Sequence, residues 1–195
     1  MDQKKEKTKS VLNKVYNILF FGLLIFFIFN ADAKSWVLRQ MISIGLFKPD
    51  IQQEGIKNVG TDPAFSFYNE TGNIISTNDL KGKVVFINFW ATWCPPCRAE
   101  MPSLNDMYNK LKDDDRYVFL FVNEDEDPAK ATAYLQKNNF SVPVITRAGQ
   151  IPAQVFSGTL PTTVVLNKEG KVVMKKEGLA NYNNKDFLKQ LEDLL

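Results

Sequence analysis

The chain has 195 residues, with two cysteines and no histidine, which is room for one domain plus extensions. Its apolar and charged fractions, 45% and 24%, are ordinary for a globular protein and exclude wholesale disorder. Residues 1–59 carry nine Lys/Arg against five Asp/Glu, and residues 60–195 carry fifteen against seventeen; the body therefore lacks the basic footprint of a nucleic-acid binder, and the missing histidine argues against Cys–His nucleophilic catalysis.

Lys4, Lys5, Lys7, Lys9 and Lys14 precede an uncharged stretch, Val15–Ala31. Its length lies at the short edge of a membrane-spanning helix, roughly 17–25 residues. The lysines before it predict a cytoplasmic tail over 1–14 and an exported body. Two readings are open. One is an uncleaved transmembrane signal anchor over 15–33, which tethers the body outside the cytoplasm. The other is a cleavable signal peptide, since Ala31-Asp32-Ala33 has the small-x-small form of a cleavage site, and this leaves a soluble exported protein. The apolar run is longer than most signal-peptide cores, and Trp36 suits the far interface; both favour the anchor. A buried core helix is a third reading, disfavoured because the run has no polar face. Either membrane reading puts the body in an oxidising compartment.

Over 34–60, Trp36, Val37, Met41, Ile44 and Leu46 line one side of a short helix. Gly45, Pro49, Gly55 and Gly60 then break the pattern into a linker. The body follows over 61–195. Phe65–Phe67 is a short strand and Asn69–Asn73 a turn. Val84–Trp90 (VVFINFW) has the length and the β-branched, aromatic content of a buried strand. A helix is predicted from Pro95 or Pro96 to Leu111, a second buried strand over Tyr117–Val122, and a helix from Pro128 to Asn138. Val142–Ile145 is short and apolar, and Gln150–Phe156 suggests a helix. Thr162–Leu166 and Lys171–Lys175 form a hairpin around Asn167–Gly170. Asn184–Leu195 reads as an amphipathic helix. This order predicts an α/β fold with a mixed central sheet flanked by helices.

The two cysteines, Cys94 and Cys97, are three apart. Such a pair closes too small a loop to constrain the unfolded chain much, so chemistry explains it better than stability. Trp93-Cys94-Pro95-Pro96-Cys97 lies where a buried strand gives way to a helix. The unpaired N–H groups and partial positive charge of a helix N-terminus favour a thiolate over a thiol, which makes Cys94 the candidate nucleophile. Cys97, one turn on, is the resolving cysteine. Pro95 costs no helix bond at the first position, and together the two prolines remove two N–H donors from Cys94, which points to a less oxidising couple. Glu100 lies three residues after Cys97 and shares its face, either as a solvated carboxylate or as a proton carrier.

The stretch Gly82 to Pro102, GKVVFINFWATWCPPCRAEMP, resembles the signature of the thioredoxin superfamily, and within it the TlpA/ResA-type membrane-anchored thiol–disulfide oxidoreductases. The resemblance extends over Asp62–Leu195. It implies a thioredoxin-like fold and reversible dithiol–disulfide exchange. It also implies that Thr159-Leu160-Pro161-Thr162 is a cis-proline loop beside the cysteines and that Glu100 handles protons near the buried one. With Leu160 and Pro161, the residues Trp93, Pro95 and Pro96 make up the implied active-site loops. Pro102 falls inside the predicted helix, as it does in thioredoxins. Asn88 replaces the buried aspartate of many thioredoxins, so Glu100 is expected to take over its proton role. The implied partners are protein thiol or disulfide clients, apocytochrome c among them, and a membrane thiol donor. The reductase direction is favoured. No dinucleotide or flavin motif appears, so the only expected redox group is the Cys94–Cys97 disulfide.

Three other classes are weaker. A peroxidase pattern fails at Ala91. A thiolate metal site has only two cysteines to build on. A non-catalytic interaction domain has no use for both cysteines at a strand–helix junction. The acidic run Asn123–Asp127 lacks the spacing of a calcium loop and reads as a solvated loop.

Overall fold

A computed structural model describes residues 2–43, 45, 47–51 and 64–195. The expectations for Ile44, Leu46, Gly55 and Gly60 lie outside the described residues.

Two strands form the centre, β3 (Val84–Trp90) and β4 (Tyr117–Asn123), with the strands numbered from the N-terminus. They pair in parallel from Val84↔Tyr117 to Trp90↔Asn123, linked by helix α3 (Pro95–Leu111). Strand β6 (Thr162–Leu166) runs antiparallel to β3, and β7 (Val172–Glu177) antiparallel to β6, giving the order β4-β3-β6-β7. Every residue of β3 is buried, and its alternation feeds two cores. Val84, Phe86 and Trp90 join one cluster with α3 residues Met101 and Leu104 and with Phe187 and Leu191 of α5 (Lys185–Glu192). Val85, Ile87 and Phe89 join the other with Phe65, Phe67 and Phe156. Burying one such phenylalanine stabilises the fold by roughly 1.5–3 kcal/mol.

The second core is closed by a smaller antiparallel sheet, β2-β1-β5. Its strands are β1 (Ser66–Tyr68), β2 (Ile74–Ser76) and β5 (Thr146–Arg147). A 3₁₀ turn, Thr77–Leu80, follows β2 and is held by a Ser76/Asp79 capping box. The two sheets meet where Ile145 bridges Val122 of β4, just before β5 pairs with β1. Helix α4 (Pro128–Lys137) starts on its proline, capped by Asp127.

Gln150–Phe156 is not a helix. Val155 and Phe156 both donate to the Pro152 carbonyl, at 2.8 and 3.0 Å, and the turn goes no further. Pro152 bars helix before it, and Gly158 has a positive φ of 95°, so too few residues remain to propagate. Phe156 stacks on Phe89 instead, with ring centroids 4.2 Å apart.

At the N-terminus, α1 (Asp2–Phe29) breaks at Asn30, and α2 (Ala31–Ser43) begins at once. The Asn30 side chain accepts from the Ala33 N–H at 3.0 Å, capping the new helix. Among the described residues no single helix is long and apolar enough to cross a membrane; Asn13–Phe29 and Ala31–Ile42 pass together, bent by 85°. Helix α2 starts earlier than the expected short helix and packs on α3. It does so through Ser35, Arg39 and Ile42, while Trp36, Val37 and Met41 point away and are exposed.

Candidate active site

Strand β3 ends at Trp90, and four residues later the chain enters α3. Cys94 is its N-cap, with extended backbone (φ −90°, ψ 105°). Its sulfur takes the place of the usual capping oxygen and accepts the Cys97 N–H at 3.3 Å. Pro95 and Pro96 fill the first two helical positions, so Cys97 is the first residue of the helix able to donate to that sulfur. Cys94 and Cys97 are joined as a disulfide with Cα atoms 5.3 Å apart. Cys97 is completely buried, and Cys94 keeps 4% of its surface. An approaching thiolate therefore meets Cys94. Trp93 beside it is 64% exposed.

The turn before Cys94 is held from an unexpected quarter. Asp125 accepts from the Thr92 N–H at 3.1 Å and from the Thr92 hydroxyl at 2.9 Å, and from Asn123 Nδ2 at 2.8 Å. The run Asn123–Asp127 is thus no simple solvated loop. Asp125 is buried, and Glu124 pairs with Arg147 at 2.8 Å. Sequence reasoning missed Asp125 because its partner, Thr92, lies 33 residues away.

Leu160–Pro161 is a cis peptide. The β3–β6 register pairs Phe89 with Thr162, so Pro161 falls level with the C-terminal end of β3, where the redox turn begins. Its carbonyl accepts the Gly178 N–H at 2.8 Å. Leu160 and Trp93 both line a cavity of ≈ 360 Å³, with Glu124, Arg147 and Phe156 in its walls.

Glu100 is completely buried. It faces Asn88, whose Nδ2 donates to Glu100 Oε1 and to Thr163 Oγ1, both at 2.9 Å. The Ala180 N–H reaches Oε2 at 3.3 Å. Burial pushes the carboxyl up to about 8, against the opposing pull of the Asn88 and Ala180 hydrogen bonds. Glu100 is therefore a group poised to gain or lose a proton near neutrality, on the same helix face as Cys97. Thr163 and Ala180 escaped the sequence reading, because only the fold brings β6 and the Ala180 segment to α3.

Residues 58–191 match the redoxin family. The chain is 36% identical over 130 residues to a thiol-disulfide oxidoreductase ResA of Bacillus cereus, covering 63% of this chain and 75% of that protein. To ResA of Bacillus subtilis (strain 168) it is 33% identical over 122 residues, 62% of this chain and 68% of that one. Among solved structures, a thioredoxin-family thiol:disulfide interchange protein from Chlorobium tepidum TLS aligns with a TM-score of 0.52 at 26% identity, covering 66% of this chain and 94% of the other. A buried disulfide capping a helix, a cis-proline level with it and these likenesses agree: the chain belongs to the redoxin family, as a thioredoxin-like thiol–disulfide oxidoreductase of the ResA type.

Proposed function

We propose that the protein is an extracytoplasmic reductase of protein disulfides, tethered to the membrane by its N-terminal segment. One observation carries the direction: the Cys94 sulfur faces a helix N-terminus from which two prolines have removed two N–H donors, leaving the Cys97 N–H at 3.3 Å. Fewer donors mean a less stabilised thiolate, a less stabilised reduced form and a more reducing couple.

In the reduced enzyme the Cys94 thiolate attacks a client disulfide, forming a mixed disulfide and releasing one client thiolate. Cys97 then gives up its proton and attacks the Cys94 sulfur. The mixed disulfide breaks, the second client thiolate leaves, and Cys94–Cys97 is restored as the disulfide. Glu100 in its ionised form is the proposed acceptor of the Cys97 proton; burial raises its carboxyl to about 8, so this step quickens as pH climbs toward that value. The cis-Pro161 loop, with Leu160 and Trp93, forms the surface on which the client lies. Pro95 and Pro96 stiffen the loop between the sulfurs. A membrane thiol donor returns the electrons, so no bound cofactor is required. Apocytochrome cysteines awaiting haem attachment are the client class this reading favours.

The Val15–Phe29 side chains described as exposed are apolar almost without exception, which supports the tether. Equilibration of the Cys94–Cys97 couple against thiol buffers tests the direction. A potential near −270 mV, roughly that of thioredoxin, is expected; one near about −120 mV would make the protein a disulfide donor.

A further inference from the structure

Helix α2 is built the wrong way round for a helix that faces water. Arg39 reaches onto α3, Ser35 beside it is buried, and Asp32 pairs with Arg98 from the exposed edge of the same contact. The side turned away shows Trp36, Val37 and Met41, exposed by 63%, 36% and 36%. Ala33 and Gln40 complete that side, so it carries no charge, and Lys34 stands at its flank. A solvated helix puts its charges outward.

The inward side meets a defined need. Pro102 lies within α3 and has no N–H, so the Arg98 carbonyl lacks the helical donor it would otherwise have. Arg39 Nη2 donates to that carbonyl at 3.1 Å. One turn earlier, the Ser35 hydroxyl lies between two carbonyls, Pro95 at 2.9 Å and Ala31 of its own helix at 2.8 Å, and shares its proton between them. Asp32 pairs with Arg98, whose guanidinium lies 5.2 Å over the Tyr134 ring. Helix α2 thus grips the first two turns of the redox helix by their backbone.

The outward side continues from α1. Only Asn30 separates α2 from the part of α1 that is almost wholly apolar after Lys14, and the two axes differ by 85°. If α1 stands along the bilayer normal, α2 lies in the plane of the surface. There an uncharged face with an exposed tryptophan and a flanking lysine fits the headgroup boundary.

We propose that α2 is an interfacial strut. Trp36, Val37 and Met41 rest in the bilayer surface, while Arg39 and Ser35 act as positioning residues that hold the Cys94–Cys97 helix at a fixed orientation to it. This rests on the membrane-tethered reading above, and the test separates the two.

The full chain is reconstituted into phosphatidylcholine–phosphatidylglycerol vesicles, with and without brominated acyl chains. Flotation reports the tether. Bromine quenching reports Trp36, with the W36F variant as reference. The expected result is flotation of both proteins, and a quenched fraction in the wild type that drops in W36F. Flotation with equal quenching in both overturns the strut and leaves the tether standing; failure to float overturns both. The grip is read from two rates of reduction of the Cys94–Cys97 disulfide. One uses dihydrolipoamide in solution; the other uses the same dithiol linked to a phospholipid in the vesicle. In each, the dithiol becomes its cyclic disulfide and the enzyme disulfide becomes two thiols, with two electrons and two protons passing across. The ratio of the lipid-linked to the soluble rate is expected to fall by about tenfold or more in an S35A/R39A variant, since orientation is what that ratio measures. An unchanged ratio removes the positioning role.

Discussion

Cys94 and Glu100 are six residues apart at the start of one helix, and they treat negative charge in opposite ways. At Cys94 the helix ends in a partial positive charge, which favours the thiolate, while the prolines limit its N–H support to one donor at 3.3 Å. At Glu100 the helix is closed over by β3, β6 and the Ala180 segment. There burial outweighs two hydrogen bonds and holds the carboxyl protonated up to about pH 8. One group is kept ready to be charged and the other ready to be neutral. Neighbouring groups driven apart in this way suit the division between nucleophile and proton carrier on which the proposed mechanism rests.

The largest effect comes from removing the sulfurs themselves. Cys94→Ser is expected to lower thiol exchange by more than about 10³-fold, since the remaining thiol, Cys97, is completely buried and out of a client's reach. Cys97→Ser keeps the attack but loses resolution, so mixed disulfides with clients accumulate on Cys94. Non-reducing gels with mass spectrometry check both. Trapping through Cys97 in a Cys94→Ser variant would reverse the roles assigned here.

Glu100→Gln tests the other environment. It is expected to slow resolution by roughly 10²-fold, the scale of a lost general base, and to flatten the pH profile near 8. Stability should change as well. The raised pKa means that the folded chain holds a proton at neutrality that the unfolded chain has released. Folding benefits in full below about pH 4.5; the benefit drains away as pH rises to about 8, above which the full cost of a buried carboxylate is felt. Wild type should therefore lose several kcal/mol between pH 5 and 9 that Glu100→Gln does not. Urea midpoints at the two pH values give the answer, and parallel slopes would refute the buried-acid account.

What could be read in advance follows the same division. Val84–Trp90 and the start of α3 were legible because a doubly buried strand and a proline-led helix leave local marks. Asn88 in that strand was legible as an oddity, and its partner Glu100 by spacing. Thr163 and Ala180 were not, because their meeting depends on β6 returning beside β3. Strand β2 was missed since its residues are only partly buried and pair with β1 alone. The Ser76/Asp79 box after it did carry a readable signal. The outward apolar face of α2 was seen as a pattern, but its direction needed the fold.

Asp125 supports the first environment from outside the helix. Asp125→Ala removes the acceptor for the Thr92 N–H and hydroxyl, at an expected cost of about 1–3 kcal/mol. Asp125→Asn keeps one acceptor oxygen and should recover part of that loss. Thermal denaturation of the oxidised proteins measures it. A loss confined to exchange rate, with stability intact, would make Asp125 a client contact instead.

The smallest expected change bears most directly on the reducing character proposed for the couple. Pro96 occupies the second helical position, where an N–H would point at the capping sulfur. Pro96→Ala restores that donor without altering the charge of the site. One added hydrogen bond to a thiolate contributes about 1.5 kcal/mol, which for a two-electron couple is a rise of about 30 mV. The Cys94 thiol should become more acidic in step, because both shifts come from the same stabilised thiolate. Measured together by thiol-buffer equilibration and by the pH dependence of alkylation, the two must move as a pair. A potential that rises while the acidity stays fixed would trace the reducing character to the stiffness of the Pro95–Pro96 loop and not to its missing donors.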